Sequence, residues 1–201
     1  MYNLTSNLNI KEIYEQGWLP QRNQAGYFYT DDNYSCRSRL QDSQLSSENR
    51  RILKKTDHFS YKLLSLKDFN YTPALKKQLS IWTKTLNWNF PASSIKTVFT
   101  NHIFNFVYLW TNNQQPGHIC AYTLCFFNEN IVHVAYVFYD PVYAHSDLPI
   151  RLPLQVFIDA QEKQLKYCYF GRFNPETKLG FYKRNFPNFE YFVKGKWMSY
   201  N

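Results

Sequence analysis

Three apolar stretches in close succession most limit the folds open to this 201-residue chain. They run from Ile103 to Trp110, from Ile119 to Phe127 and from Ile131 to Tyr139, and all are rich in β-branched and aromatic residues. The connections carry turn residues, among them Pro116-Gly117 and Asn128-Glu129-Asn130. Connections this short join antiparallel neighbours, so the sequence predicts an antiparallel meander.

Helices and strands on both sides of the meander predict an α+β fold with a mixed, largely antiparallel sheet flanked by helices. Helical patterns cover Leu8–Gln16, a basic segment from about Ser47, Pro73–Leu86, Ala92–Asn101 and Leu154–Leu165. Strand patterns cover Tyr27–Thr30, Tyr34–Leu40, Phe59–Leu66, Tyr167–Phe173 and Phe189–Val193, and Pro175–Phe186 is predicted as a loop or short helix. We expect one compact unit with an N-terminal lobe, residues 1–72, and a second lobe, residues 73–201.

Positive charge is concentrated in residues 34–55. This segment holds six Lys or Arg and two acids, a net +4 that is half of the chain's +8. Concentrated positive charge indicates an anionic partner, with nucleic acid ahead of a membrane. Aromatic residues make up 19% of the chain, and exposed Tyr and Phe beside basic residues suit stacking on unpaired bases. The competing interpretation is an ordinary solvated basic helix above a core rich in aromatic rings.

The basic helix is predicted to present cations beside its first turn. Ser46 or Ser47 suits the N-cap, and Glu48 suits the first turn. Arginines beside a helix N-terminus make a site for phosphate or carboxylate groups. On the preceding strand, two arginines two residues apart share one face. The predicted anion-binding arginines are Arg37, Arg39, Arg50 and Arg51. Which of them bind nucleic acid and which bind an acidic group stays open.

The cysteine spacing and the N-terminal sequence argue against a metal site and against a signal peptide. Cys36, Cys120, Cys125 and Cys168 form no CxxC pair, so no metal site is predicted, although a catalytic Cys-His pair stays open. We interpret them as reduced thiols of a cytoplasmic protein. There is no run of 18 apolar residues and no signal-peptide pattern at the N-terminus, so no membrane association is expected.

Three blocks of residues, in order along nearly the whole chain, resemble the motifs of one enzyme family. The front block is Gly17-Trp18, Tyr27-Phe28-Tyr29, Cys36, Arg39 and Ser47-x-x-Arg50-Arg51; the middle block is Phe138-Tyr139-Asp140-Pro141; the end block is Tyr167-x-Tyr169-x-Gly171, Lys178-Leu179, Tyr182-Lys183 and Gly195-Lys196-Trp197. Together they resemble the arginyl-tRNA–protein transferases and the bacterial leucyl-tRNA–protein transferases. The chain departs from them in its single front cysteine, in Val142, in Ser146-Asp147-Leu148-Pro149 and in one extra residue between Lys178 and Tyr182.

The resemblance implies a GNAT-like fold, with residues 73–201 as the transferase lobe. It implies transfer of arginine or leucine from charged tRNA to the N-terminal amine of a protein, which marks that protein for degradation. Aminoacyl-tRNA would be a co-substrate, with no further cofactor, and the acceptor would begin with an acidic residue. Lys178, Tyr182 and Lys183 would grip phosphates and stack the terminal adenine, and Ser47 and Tyr169 belong to the same substrate-binding set.

Asp140 is the first candidate for anchoring or deprotonating the acceptor amine, because it ends a long apolar strand. Its competing role is to cap an Asp-Pro turn. The alternative proton acceptors are the histidines His102, His118, His133 and His145.

Two other functions compete with aminoacyl transfer. An acyl-CoA-dependent GNAT acetyltransferase would need a glycine-rich loop that cradles a diphosphate, and none of the six glycines is spaced for one. A non-catalytic RNA-binding module would need only the charge and the aromatic rings. Transfer of labelled arginine or leucine from charged tRNA to a peptide beginning with Asp or Glu separates the three.

Overall fold

A computed structural model of the chain describes residues 2–3, 9–100 and 103–200. The helices are α1 (Ile10–Glu15), α2 (Ser47–Lys55), α3 (Pro73–Thr85), α4 (Ala92–Thr100) and α5 (Leu148–Glu162), with short 3₁₀ helices at Pro141–Tyr143 and Phe181–Asn185. The strands are β1 (Tyr2–Asn3), β2 (Leu19–Pro20), β3 (Tyr27–Tyr29), β4 (Tyr34–Arg39), β5 (Phe59–Ser65), β6 (Phe106–Asn112), β7 (Ile119–Phe127), β8 (Ile131–Tyr139), β9 (Tyr167–Phe173), β10 (Phe189–Val193) and β11 (Lys196–Ser199).

The main sheet has eight strands in the order β11-β10-β4-β9-β8-β7-β6-β5, and β1-β3-β2 form a second, three-stranded sheet. In the main sheet, β8 and β9 pair in parallel and the other neighbours pair antiparallel. The predicted α+β class is confirmed, as is the meander, which is formed by β6, β7 and β8. Strands β4 and β5 precede residue 73, so both predicted lobes contribute to the same sheet.

Each face of the main sheet has its own core. One face packs against α2 and α5, with Trp110, Val132 and Phe157 among its buried residues. The opposite core includes Tyr14 of α1 and Phe28 of the small sheet, together with residues of α3 and α4. Since successive side chains of a strand point to opposite faces, a sheet buried on both faces reads as a continuous apolar run, as β7 and β8 do.

Helix α5 begins at Leu148 rather than at the predicted Leu154. Pro149 lies in the first turn, where its missing N–H has no helical partner to lose. Pro153 lies inside the helix and removes the one bond that its N–H would make to the carbonyl of residue 149. Buried Leu152 and Leu154 offset that loss. The expectation that this helix begins after Pro153 therefore predicted its start too late.

Other predicted boundaries differ less. The first meander strand begins at Phe106 rather than Ile103. Ser46 is the N-cap of α2 and forms a capping box with Asn49, so Ser47 is the first helical residue. Residue 8 of the first predicted helix and residue 101 of the fourth lie outside the described residues. No described helix is long and apolar enough to cross a membrane.

A buried ion cluster joins the strands at one end of the sheet. Arg37 Nε donates to Glu190 Oε2 at 2.9 Å, and Arg39 Nε lies 2.9 Å from Glu190 Oε1. The guanidinium carbon of Arg37 lies 3.8 Å from the ring centre of Tyr167 and 3.9 Å from that of Trp197. The cluster therefore connects β4, β9, β10 and β11. The Arg37 and Glu190 side chains are only 7% and 11% exposed.

We predict that Glu190→Gln destabilises the fold by about 3–5 kcal/mol, because it leaves the buried charge of Arg37 without its partner. Arg39→Gln is the matched control: its side chain is 54% exposed, so its loss should cost less than about 1 kcal/mol. Urea denaturation of the three proteins measures both values. Equal, small effects would contradict a structural role for the buried pair.

Candidate functional site

The parallel strands β8 and β9 pair at one end and diverge at the other. Their pairing covers three residue pairs and ends with His133 opposite Tyr169. Both strands continue past this point, and each stays paired on its far side, β8 with β7 and β9 with β4. The peptide groups of residues 134–139 that face β9 therefore lie along a gap rather than in a ladder, where they can bond to a ligand.

Two β-bulges account for the divergence. Cys125 pairs with Val134 and Leu124 with Tyr136, so Ala135 is an extra residue in β8. Phe170 is likewise an extra residue in β9, because β4 pairs with the residues on either side of it. A bulge bends and twists its strand. Because both bulges come within two residues of the last β8–β9 pair, the strands bend away from each other there.

The 3₁₀ helix Phe181–Asn185 lies across the gap on the α5 face. Lys183 Nζ donates to the carbonyl of Arg172 at 2.8 Å, which ties the helix to the end of β9. Gly180, at φ +62°, precedes the helix, and a Cβ there would lie 2.6 Å from the same carbonyl. A cavity of about 100 Å³ in the gap is lined by Val134, Ala135, Val137, Pro153, Phe170, Tyr182 and Lys183.

Burial controls the titration of the groups around this cavity. It lowers the pKa of the Lys183 ammonium and raises the pKa of the Tyr182 hydroxyl. It also raises the pKa of the Cys36 thiol to about 11, so this buried cysteine is a poor nucleophile at neutral pH. A partly desolvated cation at the edge of a gap is a typical ligand-binding group. All four cysteines are buried and free.

Asp140 follows β8 directly, and the structure gives it two partners. Its Oδ1 accepts a hydrogen bond from the Val142 backbone N–H at 3.1 Å, so it caps the turn into the first 3₁₀ helix. Its Oδ2 lies 3.4 Å from His118 Nε2. The Asp140 and His118 side chains are 19% and 45% exposed, so the pair is accessible at the end of β8.

The other histidine candidates lie apart from this pair. His133 is buried, and its Nδ1 lies 2.9 Å from the hydroxyl of Tyr14. His145 is exposed, in a pocket beside α2 and the start of α5. His102 lies outside the described residues.

The predicted anion-binding residues of α2 remain near solvent. Ser47 and Arg50 are exposed, and Arg50 donates to the carbonyl of Leu45. Arg51 makes bidentate bonds to both Glu48 and Asp147, and its hydrogen bond lowers the pKa of Asp147. Arg51 therefore fixes α2 against the start of α5, and the carboxylates of Glu48 and Asp147 already neutralise its charge.

Arg37 and Tyr169, two of the predicted substrate-binding residues, contact each other inside the fold. Both are buried, and Arg37 Nη1 donates to the Tyr169 hydroxyl at 3.2 Å within the ion cluster. Arg39 is half-exposed but paired with the same Glu190. Because both residues are buried and already paired with other side chains, we leave Arg37 and Tyr169 out of the candidate site. Lys178 is exposed, at φ +60°, in the turn before Gly180.

The sequence indicated part of this site and missed part. Tyr182 and Lys183 were predicted binding residues, and the structure brings them to the gap. The divergence of β8 and β9 was not predicted. Its sequence signal is Gly171, because an isolated glycine within a strand marks a bulge or a close backbone approach. The described residues include no group of three or more His, Cys, Asp or Glu side chains placed to hold a metal ion.

The sequence matches no protein-family model and no curated protein. Solved structures do resemble the fold. The C-terminal domain of a lysylphosphatidylglycerol synthetase from Agrobacterium fabrum has a TM-score of 0.53 at 12% identity, over 74% of this chain and 49% of its own. L-PGS from Bacillus licheniformis gives 0.52 at 10% identity, over 93% and 65%.

A third similar structure is the GCN5-related glucosamine N-acetyltransferase region of a fungal multidomain β-N-acetylglucosaminidase. Its TM-score is 0.50 at 12% identity, over 90% of this chain and 21% of that one. The chain thus spans about a fifth to two thirds of the length of these proteins. At such identities the likeness shows the fold alone, and the predicted GNAT-like fold is confirmed.

The shifted pKa of Lys183 makes a testable prediction about stability. Its folded pKa lies below the ordinary 10.5, so the unfolded chain binds the proton more tightly, and wild-type stability should rise as the pH approaches 10.5. Lys183→Met removes this contribution. The unfolding free energy of the variant minus that of wild type should therefore fall as the pH rises from 7 toward that value.

Urea denaturation across this pH range measures the difference. Lys84→Met, at an exposed position on α3, is the matched control and should differ from wild type by a constant amount. The same constant difference for Lys183→Met would contradict a buried, desolvated ammonium.

Proposed function

We propose that the protein is an aminoacyl-tRNA–protein transferase that moves arginine or leucine from charged tRNA to the N-terminal amine of an acceptor protein and so marks it for degradation. The observation that carries the proposal is that residues of two separate motif blocks lie at the gap or next to a strand that borders it. Tyr182 and Lys183, which belong to the end block that resembles this family, lie at the gap between β8 and β9. Asp140, from the middle block, directly follows β8, the strand whose residues Val134, Ala135 and Val137 line the cavity in the gap.

The similar structures agree with acyl transfer. The name lysylphosphatidylglycerol synthetase describes attachment of a lysyl group to a lipid, and a glucosamine N-acetyltransferase attaches an acetyl group to an amine. These names support an acyl donor as one substrate of this chain. They do not distinguish an aminoacyl ester from a thioester. That choice depends on the residues of this chain.

The start of α5 disfavours a CoA donor. A diphosphate would need several free N–H groups at a helix N-terminus. Here the Leu148 N–H is bonded to Ser146 Oγ, and Pro149 has no N–H. The Asp147 carboxylate, ionised beside Arg51, lies at the same point and would repel a phosphate. These observations favour charged tRNA over acyl-CoA.

The groups at the gap suit the 3′ end of a charged tRNA. Tyr182 is 38% exposed, and an accessible tyrosine ring would stack on the terminal adenine. The Lys183 ammonium can pair with a phosphate or with the oxygen of the ester carbonyl as negative charge develops there. Exposed Arg50, Ser47 and Lys178 would contact phosphates farther along the RNA.

The transfer itself needs little chemical assistance. The acceptor amine attacks the carbonyl carbon of the aminoacyl ester, a C–N bond forms, and the C–O bond to the tRNA ribose breaks. The amine loses one proton and the departing ribose hydroxyl gains one. A free N-terminal amine has a pKa of about 8, so a modest base suffices. We assign proton handling to His118, whose Nε2 lies 3.4 Å from Asp140 Oδ2.

Single-turnover transfer tests the function. The full chain, with tRNA carrying labelled arginine or leucine, should label a peptide that begins with Asp or Glu. Radiolabelled acetyl-CoA should label neither the peptide nor other amines. Transfer from acetyl-CoA alone would establish the acetyltransferase alternative, and tRNA binding with no transfer would establish the RNA-binding module.

The same assay tests the proton-handling pair. Asp140→Asn keeps an oxygen to cap Val142 but removes the charge beside His118, so the rate should fall about 10²–10⁴-fold with an unchanged melting curve. His118→Gln should cause a similar loss, and the double variant should be no slower than either single one. Lys84→Ala is the control. A full-rate Asp140→Asn protein would reduce Asp140 to a turn cap.

A further inference from the structure

A second pocket, which shares no lining residue with the cavity in the gap, lies between α2 and the start of α5. Its volume is about 670 Å³. The connection between β6 and β7 and the end of the first 3₁₀ helix also contribute to its walls. The polar side chains that line it include Lys55, His58, Gln114, Tyr143, His145 and Asp147.

A chain of hydrogen bonds orients one neutral donor of this pocket. The side-chain oxygen of Asn112 accepts from the Gln114 backbone N–H at 2.9 Å, so the amide nitrogen of Asn112 faces the other way. That nitrogen donates to the Tyr143 hydroxyl at 3.2 Å. Because the hydroxyl oxygen accepts this bond, its own proton remains for another acceptor. Tyr143 therefore suits a ligand that carries acceptor oxygens.

Two histidines reach the pocket from different connections of the chain. His58 lies between α2 and β5, and its carbonyl accepts from the Asn113 N–H at 2.9 Å. Its ring packs 4.2 Å from that of Phe59, and its side chain is 30% exposed. His145 is exposed and lies between the first 3₁₀ helix and α5. Both rings are thus accessible to a ligand and to solvent protons.

The fixed charges favour an anion only when these histidines are protonated. Two cations and three carboxylates lie in or beside the pocket, namely Arg51, Lys55, Glu48, Asp57 and Asp147. The hydrogen bonds of Arg51 lower the pKa of Glu48 and of Asp147, so both stay ionised. The net charge is therefore −1 with neutral histidines and +1 with both protonated. Histidine ordinarily titrates near pH 6.5, and a tyrosine such as Tyr143 is neutral there.

We propose that this pocket binds a phosphate group and that protonation of His58 and His145 controls the binding. Both imidazolium rings, the Lys55 ammonium and the Tyr143 hydroxyl would donate to the phosphate oxygens. With neutral histidines, Asp147 and the other carboxylates repel the anion. The inference goes beyond the proposed function, because it requires no acyl transfer. The phosphate belongs either to a free anion or to an RNA backbone, and the tests below distinguish the two.

An NMR titration of the full chain with sodium sulfate tests the pH dependence. Sulfate is the probe because it stays a dianion between pH 5.5 and pH 8, whereas inorganic phosphate itself titrates. Wild type should bind sulfate about tenfold more tightly at pH 5.5, about threefold for each partly exposed charge pair gained. The double variant His58→Gln, His145→Gln should lose this dependence. Lys84→Gln, at an exposed position on α3, is the matched control and should keep it.

The imidazole signals of wild type give a second test, which needs no variant. Because binding and protonation are reciprocally linked, saturating sulfate should raise the titration midpoint of each histidine by about half a pH unit. A single-stranded RNA should raise the same midpoints if the ligand is an RNA phosphate, and should leave them unchanged if the pocket takes a free anion. Midpoints that sulfate does not move, or equal sulfate affinity at the two pH values, would overturn the proposal.

Discussion

The early end of the pairing between β8 and β9 is the constraint on which the rest of the site depends. A parallel pair in the middle of an eight-stranded sheet would ordinarily continue to the ends of both strands. Here an extra residue in each strand, Ala135 and Phe170, bends the two apart after three pairs. The sheet stays whole because each strand remains paired with its outer neighbour. The gap is therefore bordered on each side by a strand that is paired with its outer neighbour.

The elements around the sheet make the two openings of this gap different. On one side, the 3₁₀ helix with Tyr182 and Lys183 brings a cation and an aromatic ring. On the other side, Arg172 donates to the Tyr29 carbonyl and so holds the small sheet against the diverging end of β9. The buried pair of Arg37 and Glu190 holds the outer strands against β9. Catalysis by the proposed transferase would consist mainly of positioning its two substrates.

Local patterns predicted the strands well because apolar periodicity and turn residues act over a few neighbours. The two-residue spacing of Arg37 and Arg39 correctly placed them on one face, where both meet Glu190. Their burial was not predictable, because Glu190 lies about 150 residues away in sequence. The bulges escaped prediction for the same reason, since a bulge exists only relative to the strand that it pairs with. The sequence motif identifies Tyr182 and Lys183 but carries no information about the gap that they border.

The central claim is that the acyl donor binds between β8 and β9, and hydrogen exchange tests it most directly. Saturating amounts of an aminoacyl-adenosine with an amide in place of the ester would occupy the site without reacting. The account predicts slower exchange of the backbone amides in residues 134–139 and 170–173, with α3 unchanged as an internal control. Unchanged exchange in both segments, with protection confined to α2, would place the donor elsewhere and contradict the account.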